Sequence, residues 1–144
     1  MGTKLIDTWA KRLINQKFTW GINDCHQLLY DFLKLQNIDW KDPHNYGSLR
    51  GTYNNRREAS RVAEEMKPVK EQLEELGYTR RPVNRVEAGD IVWVPNKKEK
   101  YDMYFPVIYG QTCLLSDAKD LVIKQFHIDN IVKPGWEVYR KAYV

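Results

Sequence analysis

The sequence predicts an α+β fold in which N-terminal helices pack against a C-terminal antiparallel β-sheet, within one domain covering residues 1–144. Three observations predict it. Apolar residues recur at helical spacing up to about residue 77. From about residue 88 onward, short β-rich runs separated by Gly, Pro, Asp and Asn replace that period, and helices followed by strands is the α+β pattern. The length, 144 residues, is that of one domain, large enough to bury a core without disulfide or metal staples.

The elements follow in order. Leu5, Ile6, Trp9, Leu13 and Ile14 mark a first amphipathic helix, and Cys25, Leu28, Leu29, Phe32 and Leu33 a second. A long loop runs from Asn37 to Arg56 and contains Pro43, Gly47 and Gly51; loops of this length usually carry function. Ala59, Val62, Ala63 and Met66 give a third helix. Val69, Leu73 and Leu76 give a fourth, with Pro68 at its start and Gly77 at its stop. The acidic run Glu64, Glu65, Glu71, Glu74 and Glu75, interleaved with Lys67 and Lys70, reads as an exposed helix face. Strands are expected at Ile91 to Val94, Tyr104 to Tyr109, Leu121 to Ile128 and Trp136 to Tyr143. Met103 to Ile108 is a candidate sheet edge for docking a neighbour, although Pro106 would interrupt such pairing. Trp9, Trp20, Trp40, Trp93 and Trp136 are expected to anchor the helix-to-sheet core.

Composition excludes several function classes. With 42% apolar and 29% charged residues, the chain is neither disordered, collagen-like nor a coiled-coil rod. Twenty-three Lys and Arg against nineteen Asp and Glu give +4, but the positive residues are scattered, so no nucleic-acid partner is expected. The densest group, Lys97, Lys98 and Lys100, is broken by Glu99. No window approaches ~18 consecutive apolar residues, so no membrane span and no secretion signal are expected. Two cysteines, Cys25 and Cys113, are too few for a disulfide framework. Zinc needs close ligand pairs, and only the adjacent Cys25 and His26 are close; no metal and no cofactor are expected. There is no phosphate-cradling glycine loop and no Gly-x-Ser-x-Gly elbow.

The chemically informative stretch is Trp20-Gly21-Ile22-Asn23-Asp24-Cys25, directly before an apolar helical pattern. Asn23 or Asp24 can cap that helix, and Gly21 permits an upstream turn. Cys25 then falls in the first turn, where the positive end of the helix favours the nucleophilic thiolate. A cysteine in register with Leu28, Leu29 and Phe32 also reads as a small buried hydrophobe.

This stretch, followed by Leu49-Arg50-Gly51-Thr52-Tyr53, Ala88-Gly89-Asp90-Ile91-Val92, Val107-Ile108-Tyr109-Gly110 and a closing Trp136, resembles the small phage-encoded branch of the NlpC-like, papain-fold cysteine peptidase superfamily. The similarity spans nearly the whole chain. It implies an NlpC-like fold, Cys25 at the nucleophile position and Asp24 as its neighbour. It also implies a place in phage tails, with other tail proteins as partners and the virion tail as location after synthesis in the host cytoplasm. The resemblance puts the general base on the strand ending in Ile108-Tyr109-Gly110. Tyr104 or Phe105 stands there, and neither takes a thiol proton at neutral pH.

Three histidines remain. His26 lies roughly 100° around the helix from Cys25 and points away. His44 sits in the long loop. His127, with Asp129 two residues on, could form an oriented base. Arg50 could pair with Asp24 or another carboxylate and hold the long loop against the second helix. The resemblance implies one of two functions, a structural component of a phage tail tip or baseplate hub that keeps a degenerate peptidase fold, or an active cysteine hydrolase cutting peptidoglycan peptides or amides. The residues alone also fit a small cellular α+β protein without catalysis.

Overall fold

The computed structural model describes residues 3–40, 50–65, 67–82, 86–95, 102–128 and 135–142. Four helices precede six strands: α1 (Thr3–Leu13), α2 (Cys25–Leu35), α3 (Arg56–Glu65), α4 (Val69–Glu75), then β1 (Tyr78–Arg81), β2 (Ile91–Val94), β3 (Met103–Tyr109), β4 (Thr112–Asp117), β5 (Val122–His127) and β6 (Glu137–Lys141). The strands form one antiparallel sheet in the order β1-β6-β2-β3-β4-β5. The α+β class is therefore as the sequence predicts, with two more strands than its β-rich runs suggest. No helix among the described residues is long and apolar enough to cross a membrane.

Side-chain alternation divides the sheet into two faces. Ile91, Tyr104, Ile108, Leu114, Ile123 and Tyr139 point to one face and meet Ile6 and Trp9 of α1, Leu28, Leu29, Phe32 and Leu33 of α2, and Leu73 of α4. Full burial of each such side chain stabilises by about 1.5–3 kcal/mol. Val92, Phe105, Val107, Cys113 and Val138 point to the other face, where Val86 and Ile128 from flanking segments complete a second core. Burial on both faces explains why β2 and β3 read as continuous apolar runs.

β3 lies between β2 and β4, so Met103 to Ile108 is an interior strand rather than a docking edge. The true edges are β1 and β5. The chain seals the β5 edge itself: Asn15 N–H donates to the Ile123 carbonyl at 2.7 Å, Ile123 N–H to Gln16 at 2.9 Å, and Phe18 N–H to Leu121 at 3.0 Å.

Candidate functional site

The site begins with the cap of α2. Asp24 takes an extended backbone (φ −70°), and its Oδ1 accepts from the Gln27 N–H at 3.1 Å, so Asp24 is the N-cap. Its Oδ2 accepts from the Gly21 N–H at 2.7 Å, which folds Trp20–Asp24 into a tight turn above the helix. Asn23 has a different task. Its Oδ1 accepts from Thr19 N–H at 2.7 Å, and its carbonyl accepts from the Ser116 hydroxyl at 2.7 Å, tying the turn to β4.

The two motifs far apart in sequence meet here. The Tyr53 hydroxyl donates to Asp24 Oδ1 at 3.0 Å and accepts from Gln27 Nε2 at 3.4 Å. Gly51 N–H donates to the Gly21 carbonyl at 3.0 Å. Gly21 has φ +78°, and a Cβ there would lie 2.0 Å from the Tyr53 carbonyl oxygen, so only glycine fits. Arg50 Nη2 meets Asp31 Oδ2 at 2.6 Å, one helical face along α2. Arg50 thus pins the loop to α2 through Asp31, while Tyr53 rather than Arg50 is the partner of Asp24.

Cys25 opens α2 as expected. Its thiol is pushed up to about 12, first by desolvation and then by the charge of Asp24. Desolvation and the neighbouring carboxylate thus oppose the pull of the helix end on this thiol.

Tyr104 projects to the Cys25 face of β3, and Phe105 to the opposite face, where its ring packs edge-on against Phe126 at 5.2 Å. Burial followed by the charge of Asp102 pushes the Tyr104 hydroxyl's pKa up. A phenol so held does not take a proton from a thiol.

Of the described histidines, His26 lines the same cleft as Cys25 rather than pointing away from it, and His127 lies elsewhere. The His26 ring packs on Trp40 with centroids 4.8 Å apart. His127 is exposed and pairs with Thr112 at one end of β4, whereas Ser116, which holds the Cys25 turn, stands four residues away. At ~3.3 Å per strand residue that is roughly 13 Å along the sheet. His44 and Asp129 lie outside the described residues. Among the described residues no group of three or more His, Cys, Asp or Glu could hold a metal ion.

Cys25 borders two clefts that share Trp20 and Asp24. The first has Trp20, Cys25, Tyr53 and Tyr104 on one side and Ala59, Val62 and Ala63 of α3 on the other. The second runs between Phe18, Met103 and Leu115, with Arg56 and Lys119 at its rim.

A sequence profile described as a domain of unknown function, DUF6950, matches residues 3–132. The chain belongs to the DUF6950 family. No curated protein and no solved structure matches it.

Within this DUF6950 chain the Gly89-Asp90 pair is structural. Asp90 is 1% exposed and accepts from Arg140 Nε and Nη2, both at 2.8 Å, in a bidentate pair. Its Oδ2 also accepts from the Glu87 N–H at 2.9 Å. Asp90 thereby joins the entry of β2 to β6, a strand beyond the matched DUF6950 span. Sequence reasoning missed Arg140, Gln27 and the role of Tyr53. The spacing Asp24 to Gln27 carried a signal for a capping pair; a tyrosine 29 positions from its carboxylate carried none.

Proposed function

We propose that the chain is a structural component of a bacteriophage tail, at the tip or baseplate hub, in which a degenerate NlpC-like cysteine peptidase fold serves as a docking module for other tail proteins. The observation that carries the loss of catalysis is Tyr104, which lines the cleft with Cys25 on the face of β3 where the resemblance puts the general base. The place in the tail is carried by the resemblance in the Trp20–Cys25 and Leu49–Tyr53 motifs, which the fold brings into contact. Loss of chemistry need not disturb a fold whose surfaces bind neighbours.

Iodoacetamide alkylation tests the chemical half. The thiolate fraction of a thiol near 12 is so small that Cys25 is expected to react at pH 8 at least about a hundredfold more slowly than free cysteine. Reaction at pH 6 faster than free cysteine overturns it. Quantitative mass spectrometry of purified virions tests the other half, with the chain expected at fixed stoichiometry to tail proteins.

One observation favours a second reading, an active cysteine hydrolase acting on peptidoglycan peptides or amides. Cys25 stands at the first position of α2 and lines both clefts, where a substrate carbonyl could reach the sulfur. Virions carrying Cys25→Ala separate the readings: normal assembly with unchanged wall digestion supports the scaffold, and normal assembly with lost release of peptidoglycan fragments supports the hydrolase.

A further inference from the structure

We infer that α3 is a hinged flap whose lifting opens the cleft over Cys25. The inference rests on packing alone and holds for either functional reading. None of the residues of α3 is buried. Among the described residues, the face it turns to the cleft carries Ala59, Val62 and Ala63, small side chains that line the cleft together with Cys25 and Tyr104. A helix held by so little buried apolar surface sits at the low end of local stability.

The ends of the helix fit this motion. Asn55 Oδ1 accepts from the Glu58 N–H at 2.9 Å, and Glu58 Oε1 accepts from the Asn54 N–H at 2.9 Å. The start of α3 is therefore capped by residues that travel with it. On either side the chain is fastened: buried Tyr53 is clamped between Asp24 and Gly21, and Leu73 of α4 is in the main core. The joints therefore fall where the Asn54–Asn55 cap meets the Tyr53 anchor and where the chain reaches Lys67, whose carbonyl accepts from Gln72 Nε2 of α4. The flap spans both clefts, with Arg56 at the rim of one and Val62 and Ala63 over the other.

Hydrogen exchange of the full chain, read by mass spectrometry across low urea concentrations, tests this. Amides of α3 are expected to exchange at least about a hundredfold faster than those of α2, with little urea dependence. Cys25 reports the opening chemically, and Cys113 in the second core serves as the internal control for global unfolding. Ala63→Gly is expected to speed both α3 exchange and Cys25 alkylation about fivefold, leaving Cys113 unchanged. Ser60→Ala, a change toward better helix propensity, is expected to slow both about twofold. Protection of α3 equal to that of α2 overturns the inference. So does Cys25 alkylation that stays constant in both variants while α3 exchange shifts, because access would then run through the other cleft.

Discussion

Helices α2 and α3 differ by one residue in length, and each starts on a side-chain cap, Asp24 for one and Asn55 for the other. Their fates are opposite. α2 buries Gln27, Leu28, Leu29, Phe32 and Leu33 against the sheet, whereas α3 buries nothing. Caps decide where a helix starts, and apolar area decides how firmly it stays. The difference is also chemical. Because α2 is deeply seated, the sulfur at its first position is desolvated and its cap carboxylate is only 3% exposed, so the firmly packed helix is the one that suppresses its own nucleophile.

Substitutions can break or sharpen this contrast. Phe32→Ala removes a fully buried ring from α2 and is expected to cost about 3–5 kcal/mol in urea denaturation, whereas Val62→Ala in α3 is expected to cost under about 1 kcal/mol. Gly21→Ala, which sets a Cβ against the Tyr53 carbonyl at positive φ, is expected to cost about 2–4 kcal/mol by the same measurement. Removing the caps compares like with like. Asp24→Ala strands the Gly21 N–H and the Tyr53 hydroxyl as well as the α2 terminus, for an expected loss of about 2–3 kcal/mol. Asn55→Ala is expected to change global stability by less than about 0.5 kcal/mol while accelerating amide exchange in α3.

The smallest effect at neutral pH comes from the thiols. Burial holds both Cys25 and Cys113 up to about 12 from an ordinary value of 9.0. The unfolded chain releases these protons near pH 9 and the folded chain does not. Their contribution is thus complete below pH 9 and lost as pH rises toward 12. Stability measured from pH 8 to 11 is expected to fall less steeply in Cys25→Ala than in the parent chain.

The helical half was legible because each apolar stripe has the 3.6-residue period, and Pro68 and Gly77 mark the limits of α4. β1 was not, because Tyr78-Thr79-Arg80-Arg81 has a single buried residue and takes its place from pairing with β6. β4 hid for the opposite reason: Thr112, Cys113 and Leu114 are all buried, so no alternation shows. Around Cys25 the nucleophile position, the cap and the need for glycine could be read locally. The clamp of Tyr53 on Asp24 and the desolvation that reverses the thiol's tendency arise only when distant segments close together.

The strand order has a consequence for synthesis. β6 is inserted between β1 and β2, so Tyr78–Arg81 leaves the ribosome some sixty residues before its only neighbour exists. Its two arginines place charge on a strand that pairs late, the composition that suits an edge. Closure of the sheet is then a late, long-range event, with the arginine that neutralises Asp90 arriving on that same final strand.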